Sequence, residues 1–371
     1  MVPYAGVAFV ILASAMWMAI APQLPPFRER RDALAGITWF VSRGLCALVL
    51  LGLAADPGMA WGALLAVAGF GAFHPGAGAA PFAGPIDLPP GGAWRVPLAI
   101  GVDFVAWRAL AAAEGDEGEA AWNWVASPLV LGIGVLFAAP RGAAVALVAV
   151  AHLLQRRGFG VASGLVTGLA AAWGGPAALA AAVALAFAPG RTPARALCTA
   201  LAGGAALAAL RFLAPHAWNW AWLPPAEPGG GVSLWRLAHA GSAFVPGEWG
   251  WLPVAALLLA GCTALARRGA GAPALAAWTF GVFAVFAPSF PVREALPFAP
   301  LLAVWAADDP DRRGWWFLEG FALALCVVLE LLATRTGDRT TWRFIGIAGI
   351  AGTALLALWP LRETLREPRG A

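Results

Sequence analysis

The feature that most constrains the fold is a series of apolar segments separated by short turns. They run approximately over 5–21, 36–54, 60–73, 97–113, 126–139, 143–155, 160–173, 176–188, 195–213, 251–266, 274–288, 294–306, 315–333 and 341–359. A helix needs roughly 20 apolar residues to cross about 30 Å of hydrocarbon, and several of these segments are shorter, which predicts about 11–14 spans with some re-entrant pieces. The chain is 61% hydrophobic and 12% charged, where a soluble domain carries about 25% charge. The expected class is therefore all-α: a polytopic transmembrane helical bundle in a single integral-membrane domain. The stretch Val7 to Ala21 has no basic residue ahead of it, so it reads as a first span and not as a cleaved leader.

Charge narrows the function. All 24 basic residues are arginine and the net charge is only +4. The arginines sit in short loops, a pattern without support for nucleic-acid binding. Cys46, Cys198, Cys262 and Cys326 lie singly in apolar segments and read as small packing residues. The four histidines, His74, His152, His216 and His239, are scattered, and no metal-ligand spacing occurs. No metal or other cofactor is expected.

Arginine-rich short loops mark the cytoplasmic side. Alternating the segments from residue 126 puts Gln155-Arg156-Arg157, Arg191 to Arg195, Arg267-Arg268, Asp308 to Arg313 and the tail Arg362 to Arg369 on that side. The outer side then holds Ala214 to Gly250, the Pro288 to Arg293 turn and Thr334 to Arg343. Counting backward also puts Phe73 to Arg95 and Pro22 to Ala35 outside. The second of these carries Arg28, Arg30 and Arg31 and breaks the charge rule. Either an N-terminal span is miscounted or those arginines stay outside for a purpose.

Within the single domain, residues 1–73 form N-terminal spans, 74–96 an outer loop, 97–213 central spans, 214–250 a second outer loop and 251–371 C-terminal spans. The second loop concentrates His216, Trp218, Asn219, Trp220, Trp222, Trp235, His239, Trp249 and Trp251. Indole favours the headgroup level of a membrane, and it also stacks on sugar and prenyl surfaces.

From Asp103 to Leu213 the run resembles the middle of bacterial GT-C membrane glycosyltransferases, the polyprenyl-phosphate-sugar-dependent, mannosyltransferase-like group. The matching elements, in order, are Ser127-Pro128-Leu129, Leu153 to Gly158, Gly174-Gly175-Pro176 and Gly190-Arg191. SLWRLAHAG (Ser233 to Gly241) is similar to the short helix of the family's later outer loop. PVREALPFAPLLAVWA, which contains Arg293, resembles its R-Y-x-L-P-x-x-P-L-L-x-L signature. The resemblance covers roughly residues 85 to 306. The family's lysine after the middle span is missing here, replaced by Trp173-Gly174-Gly175, and its acidic motif in the first outer loop has no clear counterpart.

The resemblance implies a GT-C-like architecture and sugar transfer, with mannose or arabinose as the candidate sugar. The donor would be a polyprenyl-phosphate-sugar lipid, and the acceptor a cell-envelope glycan, lipid or protein. The site would lie on the outer face of a bacterial inner membrane. Such a displacement needs a carboxylate base and cations on the departing phosphate. Asp32, after the first span, and Asp87, in PIDLPPGG, are the candidate bases. Arg293 and Arg31 are candidate phosphate ligands, because a guanidinium binds phosphate bidentately and stays ionised. His216, Trp218, Trp220 and Trp235 would line the substrate side. Two alternatives stay open: a catalytically degenerate scaffold, and a transporter or flippase using Asp103, Glu319 and Glu330. The preferred reading of Asp103 is pairing with Arg108 or with another helix. For Glu319 and Glu330 it is structural hydrogen bonding, and for EGDEGE (Glu114 to Glu119) a solvated cytoplasmic loop.

Overall fold

The structure is a computed structural model, and it describes residues 12–24, 30–54, 95–114, 118–132, 142–188, 201–205, 250–288, 292–336 and 339–366, with isolated positions between. Among the described residues there is no strand, and the fold is all-α. Ten α-helices have defined bounds: α1 Arg31–Ala54, α2 Arg95–Glu114, α3 Glu119–Ala126, α4 Gly142–Arg156, α5 Gly160–Phe187, α6 Trp251–Arg267, α7 Ala272–Phe286, α8 Ala299–Ala307, α9 Pro310–Thr336 and α10 Arg339–Arg366. Residues 12–20 are also helical, and Val292–Phe298 form a 3₁₀ turn that runs into α8. Among the described residues, no helix is long and apolar enough to cross a membrane.

Two hairpins share one turn sequence. Arg156-Arg157-Gly158-Phe159-Gly160 joins α4 to α5, and Arg267-Arg268-Gly269-Ala270-Gly271 joins α6 to α7. Gly158 (φ 81°) and Gly269 (φ 87°) take the left-handed conformation that a side chain would resist. In each, the glycine N–H bonds back to the carbonyl three residues earlier (Gln155, Ala266). The next N–H bonds to the carbonyl five residues earlier (Leu154, Leu265), which closes both helix ends with the same six-residue cap. The paired arginines sit at the negative end of the helix dipole, where they are favoured.

The expected break at Gly174-Gly175-Pro176 is absent: α5 continues through it as one helix from Gly160 to Phe187. Proline already has a helical φ, and its ring costs one hydrogen bond, not the helix, where tertiary packing holds the chain on both sides. Close packing of α5 follows from Gly164 and Gly168, one turn apart. A Cβ on Gly168 would lie 2.4 Å from the carbonyl oxygen of Gly203 in the helical piece 201–205, and one on Gly203 would lie 3.3 Å from that of Gly164. The two backbones touch directly, the small-residue contact by which apolar helices approach most closely.

The segment expected to begin at residue 126 begins earlier. α3 starts at Glu119, stops at Ala126, and Ser127 is extended before a second short helical turn over 128–132. Such a break frees carbonyls that must find donors when buried. Here three distant side chains supply them. Trp316 Nε1 donates to the Asn123 carbonyl (3.2 Å), Arg43 Nη1 to Val125 (2.6 Å) and Ser14 Oγ to Ala126 (2.7 Å). The broken helix is thus held from α9, from α1 and from residues 12–20.

Candidate functional site

Among the described residues, polar chemistry collects in three main places: a buried ion pair, a charged end, and a carboxyl on α9.

The ion pair joins α1 to α2. Asp103 and Arg43 are 5% and 2% exposed, and Arg43 grips the carboxylate with Nε–Oδ2 at 2.8 Å and Nη2–Oδ1 at 2.9 Å. Trp39 Nε1 donates to Oδ2 (2.7 Å) and Trp124 Nε1 to Oδ1 (3.1 Å), so each carboxylate oxygen accepts two hydrogen bonds. Arg43 Nη1 spends its hydrogens on Val125 O and on Ser42 Oγ (3.0 Å). Trp39 is fixed in turn by stacking on Trp107 at 5.5 Å. This resolves the reading of Asp103 in favour of another helix. Arg108 does not pair with it and lies over the Trp107 ring instead, 5.5 Å from the centroid. Six groups from three helices are committed to one another, and both carboxylate oxygens are fully engaged, which suits a structural joint.

The charged end corrects the expectation for EGDEGE. Glu119 opens α3 and bridges two arginines: Arg31 Nη1 reaches its Oε1 at 3.0 Å, and Arg313 Nη2 binds its Oε2. Nearby, Glu114 Oε1 meets His152 Nε2 at 3.3 Å, and Arg157 Nη2 donates to the Ala112 carbonyl at 3.4 Å. The contacts Trp315–Leu356 and Cys326–Thr353 make α9 and α10 antiparallel, which brings Arg362 and Arg366 to the same end. Among the described residues, Arg157, Arg313, Arg362 and Arg366 therefore gather at one end, while Arg191 to Arg195 lie outside the described residues. Arg31 gathers with them, so the expectation that it lies on the face opposite Arg313 is overturned.

The two ion pairs of Glu119 are a fair example of surface electrostatics. All three side chains are about a quarter exposed, and partly exposed pairs are worth about 1 kcal/mol or less. Glu119→Gln is expected to lower the unfolding free energy by no more than about that amount, with the loss shrinking in high salt. A salt-independent loss several times larger in chemical denaturation would contradict this account.

Moving Arg31 to that end separates the expected site residues. Between Arg293 and Asp308 run the 3₁₀ turn and α8. At about 2.0 Å and 1.5 Å per residue these span roughly 25 Å. Arg31 lies with Arg313 at the far end of that run, and Asp32 follows it in the first turn of α1. Arg31 and Asp32 therefore cannot share a phosphate and a base with Arg293. The side chains of Asp32 and Arg293 lie outside the described set, and so do Asp87, His216, Trp218, Trp220 and Trp235 entirely.

Among the described residues, no group of three or more His, Cys, Asp and Glu side chains could hold a metal ion. Cys46, Cys262 and Cys326 are free, buried thiols, as their isolated positions in apolar segments implied.

The third place is Glu319 on α9. It is fully buried, and neither carboxyl oxygen has a hydrogen-bond partner among the described residues. The expectation of structural hydrogen bonding fails for it. The side chain of Glu330 lies outside the described set. What sequence could have signalled is limited: a glutamate inside an apolar run is visible, but the absence of a partner depends on which helices pack around it. Comparison with protein-family models, with curated proteins and with solved structures finds no match for this chain.

Proposed function

We propose that this protein is a multi-pass inner-membrane transferase of GT-C-like architecture, moving a hexose such as mannose from a polyprenyl-phosphate donor to a cell-envelope acceptor. The membrane half of the reading is supported by the faces the helices turn outward. On α1, Ile37, Phe40, Val41 and Leu45 form an exposed stripe at helical spacing, with Phe40 74% exposed. α6 exposes Leu252, Leu257 and Leu259, α10 exposes Leu355, Leu358 and Trp359, and α5 exposes Val161 and Leu165. Helices of a water-soluble bundle carry polar residues on that face. Here Arg43, Asp103, Asn123 and Glu319 are inside and the aliphatic side chains outside. The 17 residues of α6 extend about 26 Å, short of an average hydrocarbon core of about 30 Å, so in this reading the bilayer adapts to the mismatch.

The single observation that carries the transferase half is the position of the Val292–Phe298 turn, the element in the PVREALPFAPLL run that resembles the family's signature. It lies at the end of α8 away from the arginine-rich face, which is the outer end under the positive-inside rule. In this reading Arg293 neutralises the departing lipid phosphate, and Asp87 is the base that activates the acceptor hydroxyl. The tryptophan-rich loop with His216, Trp218, Trp220 and Trp235 receives the substrates. Asp32 and Arg31, at the opposite end, have no part in the chemistry.

Membranes carrying the protein, supplied with polyprenyl-phosphate mannose, provide the test. Asp87→Asn is expected to reduce transfer by about 10²-fold or more, and Arg293→Ala by roughly 10²- to 10³-fold. Asp32→Asn should stay near the unsubstituted rate. Full activity in both Asp87→Asn and Arg293→Ala would sink the assignment and leave the scaffold reading.

A further inference from the structure

Glu319 sits where α9 passes the break after α3. Trp316, one turn earlier on α9, donates to the Asn123 carbonyl. A Cβ on Gly320, the next residue, would lie 3.4 Å from the Leu129 side chain and 3.6 Å from Pro128 Cδ. The two chains therefore run in the same direction, and Glu319 is level with Ser127, the extended residue of the break. α8 closes the third side. Asn123 Nδ2 donates to the Ala303 carbonyl at 3.1 Å, and the Trp305 and Trp315 rings meet edge to face at 5.2 Å. Helical spacing directs Glu319 between Trp315, which faces α8, and Trp316, which faces α3.

Among the described residues, four buried polar atoms on the side chains that border this junction have no hydrogen-bond partner: the oxygens Glu319 Oε1, Glu319 Oε2 and Asn123 Oδ1, and one neutral donor, Trp305 Nε1. Glu319 and Asn123 are 0% exposed. The three oxygens are acceptors on an amide and a carboxylate, against a single indole N–H. The C-terminal end of α3 adds the negative end of a helix dipole, and its carbonyls keep a second lone pair after the bonds to Trp316 and Ser14. The Arg43 cation binds the opposite side of α3 through Val125 O, but Asp103 balances its charge in a closed pair. Arg312 lies on the Trp305 ring, 5.1 Å from its centroid, but neither Glu319 oxygen has a hydrogen bond from it or from any other described donor, and a buried carboxylate in that state calls for a cation or a proton.

We propose that this junction binds a small monovalent cation through the Glu319 carboxylate, the Asn123 amide oxygen and the carbonyls at the end of α3. The geometry is that of a helix interrupted at a buried acid, where freed backbone oxygens supply ligands that an intact helix would withhold. The inference is independent of the transferase reading and holds for a membrane bundle of any activity.

The full-length protein in detergent, titrated with NaCl and with KCl against choline chloride at constant ionic strength, tests it. Trp305, Trp315 and Trp316 border the junction, so tryptophan fluorescence reports on occupancy. The expected result is a saturable change with sodium or potassium that choline does not produce. Glu319→Gln should abolish it. Asn123→Ala should raise the half-saturating concentration by about tenfold or more, the effect of losing one ligand to a charged group. Far-UV circular dichroism shows whether each variant is folded, and Glu319→Asp should respond with weakened affinity if Glu319→Gln does not fold. Equal responses to choline, or a response that survives in folded Glu319→Gln, would overturn the proposal. So would a protonated-carboxyl infrared band that vanishes in Glu319→Gln yet is unchanged by sodium and potassium, because the acid would then hold a proton alone.

Discussion

Asp103→Asn is expected to destabilise the protein by about 3–5 kcal/mol, the cost of leaving a buried charge without its partner. The substitution keeps the volume but removes the countercharge of Arg43, which is 2% exposed. It also turns one oxygen into a donor that faces another donor, either Trp39 Nε1 or Trp124 Nε1. Arg43→Met should cost a similar amount, because it strands the carboxylate and also releases the Val125 carbonyl at the helix break. The double variant Arg43→Met, Asp103→Leu removes both charges, and apolar replacement of a whole buried pair is often neutral or stabilising. It should therefore recover much of the loss. Thermal or denaturant unfolding of the four proteins in one detergent measures this as a double-mutant cycle. Additive losses, or a single variant as stable as the parent, would show that the pair carries little of the joint between α1 and α2.

Some of this arrangement is legible in the sequence, and the limits have physical causes. An aspartate inside an apolar run must be paired, so the sequence predicts a partner for Asp103. Arg108, close by on the same helix, is the obvious choice by number. It fails because residues five apart point in different directions, whereas Arg43 reaches Asp103 across an antiparallel helix pair that no local pattern reveals. The helix starts were harder. Glu119 reads as the tail of an acidic loop, but its charge is satisfied by Arg31 and Arg313 from far along the chain. Alanine and glycine also blur boundaries: they keep hydropathy low where a helix continues, as across Gly174-Gly175-Pro176 in α5.

Topology illustrates how one tertiary contact can overrule a local count. Alternating the segments put Asp308 to Arg313 and the tail on one side and Arg31 on the other. The bridge from Arg31 through Glu119 to Arg313 restores consistency. It also has a functional consequence, since it removes Arg31 and Asp32 from the face where Arg293 lies. A site assembled from sequence order alone joined residues that the fold holds at opposite ends.

Gly168→Leu is the second substitution expected to have a large effect, at about 3 kcal/mol or more, at or beyond the usual range for overpacking. Overpacking is usually relieved by a side chain that rotates away. Here the obstruction is backbone: a Cβ on Gly168 would meet the Gly203 carbonyl oxygen at 2.4 Å and its Cα at 2.7 Å. Relief requires the helical piece 201–205 to withdraw from α5, which opens the contact along Gly164 as well. Gly168→Ala should already lose most of the stability, because the first carbon is the one that collides. Gly101 in α2 supplies the contrast, with nothing within 4 Å of its added Cβ. Gly101→Ala is expected to stabilise by about 0.5–1 kcal/mol through helix propensity alone. The opposite signs of two glycine-to-alanine changes, read by thermal unfolding in the same detergent, separate close helix contact from backbone entropy. If Gly168→Ala instead matches Gly101→Ala, the two backbones do not meet at Gly168 and Gly203.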